Sequence, residues 1–203
     1  HDTVRRQRQM CIRDSISTRR DAGICYIPED RQKRGLALDA KLSENASISS
    51  LISKAFAKGP FLRKTKIRGF TESLIEKFDV KASGPSALAN SLSGGNKQKL
   101  IIARELSLGS EVIIAENPTW GVDLGAINQI HHELLSMRAN GHAILLVSSD
   151  LDEIFTLSDR VLVMFESELS QSFNTEKVTR EELGKLMLMK ASDRKEQKKK
   201  NIA

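Results

Sequence analysis

The sequence has little of several residue types, and each shortage excludes a class of protein. Its two cysteines, Cys11 and Cys25, are too few for a disulfide framework, which favours a protein with reduced thiols in a cytosolic environment. Aromatic residues make up only 4% of the 203 residues. The core must therefore be built from aliphatic side chains, and a chain of this length can bury one. No apolar run approaches the roughly 18 residues that a membrane span requires.

The net charge of +6 invites a nucleic-acid partner, but the basic excess is concentrated at the two ends of the chain. Such terminal runs are usually solvated tails, so we expect no nucleic acid as a partner. Residues 1–21 show no helix or strand period, and their arginines are not followed by the apolar stretch of a signal peptide. We expect residues 1–21 to be a non-native or disordered leader and residues 191–203 to be a disordered basic tail.

Residues 22–190 between them are expected to form one partial α/β domain, in which residues 31–90 make a small helical subdomain. Apolar periodicity predicts helices over about 45–57 and 64–78 after a short strand, Ile24–Ile27. Helices and strands then alternate. The helices are predicted at about 95–108, 124–139, 150–157 and 179–188, and the strands at Val112–Ala115, Ala143–Ser148, Arg160–Phe165 and Ser167–Phe173. This alternation predicts a mostly parallel sheet that is covered on both faces.

The most specific short motif is Leu92-Ser93-Gly94-Gly95-Asn96 at the start of a predicted helix. Two glycines let the backbone approach a ligand closely. The free amides and the dipole of a helix N-terminus favour an anion, typically a phosphate, and the serine hydroxyl adds a donor. A plain Ser-Gly-Gly turn that caps the helix is an equally good interpretation of these residues alone.

A second feature is the apolar strand that ends in Glu116 and Asn117. Strands that end in acids at the mouth of a sheet usually serve a metal-bound phosphate. Here an amide follows the first acid, so the second carboxylate is missing.

The order and spacing of these segments resemble the second half of an ATP-binding cassette, the nucleotide-binding domain of ABC transporters. LSGGN resembles the signature motif of that family, and VIIAENPT resembles its Walker B strand. Three further segments resemble the loop that touches the opposite cassette (Gly121-Val122-Asp123), the switch-histidine region (Ser148-Ser149-Asp150) and the loop that senses nucleotide and contacts the membrane subunit (GICYIPEDR). The resemblance covers about residues 23–190.

Within the family, the chain is most similar to importers of sugars and nucleosides whose two cassettes are fused in one polypeptide. GICYIPEDRQKRGLALD and PTWGVDLGAI resemble the second cassette of that group. Asn117 and the segment GAINQIHHELL are closest to its nucleoside-type branch.

The sequence departs from the family in its catalytic positions. It contains no P-loop of the form G-x-x-x-x-G-K-[S/T], and its one Gly-Lys pair, Gly184-Lys185, lies in the last predicted helix. The resemblance therefore implies a fragment that begins after the P-loop. The altered positions are Glu116 for the aspartate that orients magnesium, Asn117 for the glutamate that polarises water, Ser149 for the switch histidine and Glu29 for the sensing glutamine.

The resemblance implies a partial P-loop NTPase-type core with ATP and Mg²⁺ as cofactors. The residues expected at the nucleotide are Leu92, Ser93, Gly94, Gly95, Asn96, Glu29 and Asp123, with Glu116 as a magnesium ligand and Glu116, Asn117 and Ser149 as degenerate catalytic positions. The expected partners are a first cassette of the same polypeptide, transmembrane permease subunits and, indirectly, a substrate-binding protein. The location would be peripheral, at the cytoplasmic face of the plasma membrane.

The chain would then be the degenerate half of an asymmetric pair. It would supply its signature motif in trans to an ABC-type ATPase that drives import, and would be inactive alone. One alternative is a soluble ABC-type ATPase that acts on ribosomes or nucleic acid. Another is an assembly or regulatory module that binds no nucleotide.

Overall fold

The computed structural model describes residues 15–52, 56–58, 61–107 and 109–188. The chain divides into two compact units, residues 1–147 and residues 148–203. The first unit contains the following elements in chain order: α1 (Ile16–Asp21), β1 (Ile24–Ile27), a π-helical turn (Arg31–Gly35), α2 (Leu42–Ile52), β2 (Ala57–Lys58), β3 (Phe61–Leu62), α3 (Lys64–Lys77), a 3₁₀ turn (Ala89–Ser91), α4 (Gly94–Leu106), β4 (Val112–Glu116), α5 (Leu124–Ala139) and β5 (Ala143–Val147).

A parallel sheet in the order β1-β4-β5 forms the centre of the first unit. The prediction of a parallel sheet is confirmed. The register places Cys25 beside Ile113 and Ile27 beside Ala115, and all four side chains are buried. Helix α4 packs against β1, α5 packs against β5, and the two helices also pack against each other. Both helices therefore cover the same face of the sheet.

The opposite face of this sheet is open, so the expectation of two covered faces is wrong. Tyr26, Leu145 and Val147 on that face are 36%, 57% and 49% exposed. The expectation arose because all three strands are almost continuously apolar, which is typical of strands that are buried on both sides. That pattern is present, but the helices of this unit cover only one side.

Helix α4 is the central element of the packing, because its C-terminal half is buried all round. Every side chain from Leu100 to Leu106 is buried, including two charged residues, Arg104 and Glu105. A helix that is buried on every face contacts several elements at once. Helix α4 touches β1, α2, α3, α5 and the π-helical turn.

The buried carboxylate of Glu105 is held by two arginines. Arg20 Nη1 and Nη2 donate to it at 3.0 and 3.3 Å, and Arg104 Nε donates at 2.9 Å. Arg104 Nη1 also donates to the carbonyl of Gly35 at 3.0 Å and to that of Asn45 at 3.4 Å. This cluster joins α1, α2, α4 and the π-helical turn.

The cluster also corrects two expectations about the start of the chain. Residues 16–21, placed in a leader without regular structure, form helix α1, which begins at the N-cap Ser15. Arg20, counted among solvated terminal charges, binds Glu105 instead. Residues 1–14 and 189–203 lie outside the described residues. The domain boundaries at residues 22 and 190 stay predictions.

The helical segment 31–90 is only partly as predicted. Helix α3 matches its predicted range, but α2 begins three residues earlier than expected and ends at Ile52. The side chain of Asn45 exchanges hydrogen bonds with the backbone of Ala37. It therefore fixes the preceding loop and does not cap the helix. The short β2-β3 hairpin was not predicted.

The second unit contains α6 (Leu151–Leu157), β6 (Arg160–Val161), β7 (Met164–Phe165), β8 (Glu168–Leu169), β9 (Phe173–Asn174) and α7 (Arg180–Leu188). Two longer strands were predicted here, but the structure has two short antiparallel pairs, β6-β9 and β7-β8. Glu166 and Ser167 adopt left-handed φ angles of 46° and 65° and turn the chain between β7 and β8. Across the described residues, no helix is long and apolar enough to cross a membrane.

Replacing Glu105 with glutamine should lower the free energy of unfolding by about 3–5 kcal/mol, because it leaves the buried Arg104 and the half-buried Arg20 without their carboxylate. Urea unfolding followed by circular dichroism measures this change. Glu72→Gln is the matched control, since Glu72 pairs with Arg68 on the surface of α3 at 2.9 Å and such pairs contribute about 0.5 kcal/mol or less. Equal stability of the two variants would contradict the role given to the buried cluster.

Cys25 should react slowly while the protein is folded. Burial, reinforced by the negative charge of Glu105, raises the pKa of Cys25 from 9.0 to about 11. In a Cys11→Ser background at pH 8, iodoacetamide should therefore label Cys25 about 100-fold or more slowly in the folded protein than in urea, because only the thiolate reacts. This shift stabilises the folded state below pH 9, and the contribution is lost as the pH rises through about 11. Similar labelling rates in the two states would contradict the assignment.

Candidate functional site

The N-terminus of α4 is capped by Ser93. Its Oγ accepts hydrogen bonds from the Asn96 backbone N–H at 3.4 Å and from the Asn96 side-chain amide at 2.8 Å. The Asn96 Oδ1 in turn accepts from the N–H of Lys81 at 2.7 Å. Because the Ser93 oxygen accepts both bonds, its hydroxyl hydrogen is left to donate to a further acceptor. Leu92 is buried and anchors the turn in the core.

The two glycines of this turn have different surroundings. A Cβ on Gly95 would lie 2.7 Å from Asp123 Oδ2, so only glycine lets that carboxylate approach. A Cβ on Gly94 would meet its nearest neighbours, Arg31 Nη2 and the carbonyl of Gly121, at an ordinary 3.5 Å. Gly95 therefore admits the carboxylate of Asp123, whereas a side chain at Gly94 would make only ordinary contacts with Arg31 and the loop.

The loop that follows β4 lies against this turn. Asn117 adopts a left-handed φ of 40°, and its N–H donates to the carbonyl of Val147 at 2.7 Å. The Trp120 N–H donates to the carbonyl of Asn117 at 3.0 Å, while the Trp120 side chain is 60% exposed. Asp123 ends the loop and caps α5, because its Oδ1 accepts from the N–H of Ala126 at 3.0 Å. The N-termini of α4 and α5 thus meet where Asp123 contacts Gly95.

Arg31 connects the same loop to the end of β1. Its guanidinium donates to the carbonyls of Trp120 and Gly121 at 2.6 and 3.0 Å. These two hydrogen bonds join the turn after β1 to the loop after β4.

Glu116 ends β4 on the open face of the sheet, where the hydroxyl of Tyr26 donates to its carboxylate. This hydrogen bond raises the pKa of Tyr26, and the nearby Arg34 acts in the opposite direction. Within the described ranges, no three histidine, cysteine or acidic side chains gather as a metal site would require. Glu116 is thus a single carboxylate that already has one partner.

Glu29 and Ser149 follow the C-terminal ends of β1 and β5. Glu29 is exposed at the bend after β1. Its neighbour Asp30 accepts from the backbone N–H groups of Lys33 and Gln32, which lower the pKa of Asp30. Ser149 is exposed in the second unit, before Asp150, which caps α6.

The structure thus brings together the signature turn and Asp123 from the predicted site residues. Sequence reasoning missed Arg31 and Tyr26. Side chains alternate between the two faces of a strand, so Tyr26 on β1 and Glu116 on β4 could have been placed on one face of the sheet. This step required knowing that β1 and β4 are neighbours. Nothing in the sequence around Arg31 indicated its inward position.

No family model matches the chain, but individual proteins do. It is 41% identical to the guanosine import ATP-binding protein NupO of Bacillus subtilis over 181 residues, which are 89% of this chain and 35% of that protein. It is 39% identical to the nucleoside import ATP-binding protein NupA of Lactococcus lactis over 168 residues, 83% and 33% of the two chains. It is 38% identical to the ribose import ATP-binding protein RbsA of Clostridium perfringens over 176 residues, 87% and 34%.

Among solved structures, the fold is similar to the dimeric post-hydrolysis state of the ATP-binding cassette MJ0796 bound to ADP and Pi. The TM-score is 0.65 at 19% identity, over 78% of this chain and 65% of that one. At this identity the likeness concerns the fold alone, and it agrees with the predicted α/β core.

The sequence comparisons thus show the family and the structural comparison agrees with its fold, while the chain spans about a third of the length of the curated relatives that it matches. The chain belongs to the ATP-binding cassette family and is similar, over most of its residues, to the ATP-binding proteins of sugar and nucleoside importers.

Proposed function

We propose that the chain is part of the ATP-binding subunit of an ABC importer, which couples ATP binding and hydrolysis to uptake of a sugar or nucleoside. The names of its relatives support this role. The observation that carries it is the turn before α4, where the hydroxyl of Ser93 caps the helix and the guanidinium of Arg31 lies beside Gly94. The first N–H groups of a helix have no intrahelical acceptor, so the turn presents donors and a positive dipole end to an anion.

The donors at this turn fit a phosphate group of ATP. The Ser93 hydroxyl hydrogen and the N–H groups of Gly94 and Gly95 are of the type that phosphate oxygens accept. The guanidinium of Arg31 lies 3.5 Å from a Cβ built on Gly94 and adds positive charge beside the turn.

The phosphate is proposed to belong to ATP that a partner cassette holds. The 203 residues contain no P-loop of their own, so the proposed role of the turn is to complete a partner's site in trans. Bound ATP supplies the phosphoanhydride bond that is cleaved. The residues of this chain position and stabilise its phosphates.

The chain's own acid-ended strand is proposed to be a weak or inactive hydrolytic site. Asn117 carries an amide where a general base is needed, and an amide cannot accept the proton from water. General-base help contributes about 10²- to 10⁴-fold to a rate. Glu116 fits Mg²⁺ as one carboxylate ligand, with water and phosphate completing the shell. Ser149 has no imidazole to donate or accept a proton.

The proposed partners are a first cassette of the same polypeptide and the permease subunits, with a substrate-binding protein acting through them. The proposed location is peripheral, at the cytoplasmic face of the membrane. The loop around Glu29 and the helical segment 31–90 are the surfaces we assign to the permease. The relatives are named as import proteins, which disfavours an ATPase that acts on ribosomes or nucleic acid.

Replacing Gly94 with aspartate in the complete transporter should abolish ATPase activity, which a phosphate-release assay measures. The new carboxylate would stand where the phosphate is proposed to bind and would repel it. The variant should still fold. A side chain at Gly94 meets its neighbours at ordinary distances, and an acid in the first turn stabilises a helix.

Gly184→Asp is the matched control for this test. Gly184 also lies in a helix and has open space where a Cβ would stand, but it is part of neither the turn nor the surface assigned to the permease. Its variant should retain normal ATPase activity. Full activity of the Gly94→Asp transporter would refute the role of the turn.

The isolated chain should show no saturable change in fluorescence when MgATP is added at concentrations below about 1 mM, a range that corresponds to binding free energies stronger than about −4 kcal/mol. Trp120, the only tryptophan in the sequence, lies in the loop that Arg31 contacts, and its fluorescence therefore reports on this site. A saturable change at micromolar ATP, on a chain shown to be folded by circular dichroism, would contradict the account of a site completed by a partner.

A further inference from the structure

Arg31 connects the turn after β1 to the loop after β4 through two hydrogen bonds. Its Nη1 donates to the carbonyl of Trp120 at 2.6 Å, and its Nη2 donates to the carbonyl of Gly121 at 3.0 Å. Two donors of one rigid, planar group thus hold two consecutive carbonyls. Such a two-point contact fixes the direction of the loop as well as its distance from β1.

Two glycines border this guanidinium. Gly121 has a φ of 62°, and a Cβ there would lie 3.0 Å from Arg31 Nη2. Gly94, at the start of α4, would place a Cβ 3.5 Å from the same nitrogen and 3.5 Å from the carbonyl of Gly121. The guanidinium therefore lies where the loop and the helix N-terminus approach each other, and both approach it through residues without side chains.

The backbone of Arg31 is itself fixed. Its N–H donates to the carbonyl of Glu29 and its carbonyl accepts from Leu36, both at 3.0 Å. Asp30 caps the π-helical turn by accepting from the N–H groups of Gln32 and Lys33. The guanidinium is therefore attached to a short, hydrogen-bonded turn that directly follows β1.

We propose that Arg31 is a positioning residue that holds the loop 117–123 against the N-terminus of α4. Loosening or moving the turn after β1 would thereby change the loop and the Ser93-Gly94-Gly95 turn together. The consequence for ATP rests on the proposed function, because these are the two segments that would face the partner's nucleotide. The effect of Arg31 on the loop itself does not depend on any function.

The first test measures amide hydrogen exchange in this chain by mass spectrometry. Arg31→Ala should speed exchange in residues 118–123 about tenfold or more, because the Trp120 and Val122 N–H groups bond within that loop. Exchange in β4 should be unchanged. Lys33→Ala is the matched control, since it removes an exposed cation of the same turn, and it should leave both segments unchanged. Unchanged exchange in residues 118–123 of Arg31→Ala would overturn the proposal.

The second test measures ATPase kinetics of the complete transporter. Arg31→Ala should raise the KM for MgATP about tenfold with a change in kcat of less than about twofold, since a disordered loop must be ordered before the site closes. Arg31→Lys should restore part of the loss, because lysine keeps the charge but offers no planar fork. An unchanged KM beside faster exchange would overturn the link to ATP.

The lysine variant also guards against a folding defect in Arg31→Ala, since its long stem keeps the packing of the arginine. Its exchange in residues 118–123 should lie between those of wild type and Arg31→Ala, and a value equal to wild type would overturn the two-point contact.

Failure of the proposed function is recognised separately. Full ATPase activity of Gly94→Asp would remove the role of the signature turn, and the exchange result would still decide the role of Arg31 in the fold.

Discussion

The fully buried carboxylate of Glu105 is the interaction on which the arrangement of the first unit depends. A buried charge is costly unless it is paired and hydrogen-bonded, and Arg20 and Arg104 satisfy both of its oxygens. Arg104 Nη1 also donates to the carbonyls of Gly35 and Asn45. These directional contacts fix the orientation of α4 about its own axis, which apolar packing alone would not specify. They lie at the C-terminal end of the helix whose other end carries the Ser93-Gly94-Gly95 turn.

The glycines around α4 show that a motif can serve packing and binding at once. Gly35 admits Ile101, whose Cδ1 would lie 2.5 Å from a Cβ there, and Gly95 admits the carboxylate of Asp123. Both are required by close approach inside the protein. Gly94 is the exception, because a Cβ there would make only ordinary contacts, at 3.5 Å, with Arg31 Nη2 and the carbonyl of Gly121. The Ser-Gly-Gly turn is therefore both a helix cap and a candidate anion site, and the two interpretations of its sequence are compatible.

Much of the fold follows from local pattern, and the parts that do not follow depend on contacts distant in sequence. The parallel strands and the ranges of α3, α5 and α6 could be predicted because their signals are local. These signals are the apolar period of each element and, for α5 and α6, the capping residues Asp123 and Asp150. Helix α1 could not, since only the pairing of Arg20 with Glu105, 85 residues away, reveals it. The position of Arg31 depends likewise on a loop 89 residues away. The signature turn could be proposed as a site from the sequence because its donors belong to consecutive residues, and its role stays a prediction.

The acid-ended strand shows why the altered residues are best understood together. Glu116 is one methylene longer than the aspartate that the family resemblance implies, and a longer side chain has more freedom to lose. Tyr26 donates to this carboxylate from the neighbouring strand, on the same open face of the sheet. The tyrosine therefore restricts the longer side chain and occupies part of its hydrogen-bonding capacity. With an amide at Asn117 as the next residue, the strand would offer an oriented carboxylate to a cation but no base to water, which is why we propose that this site binds rather than hydrolyses.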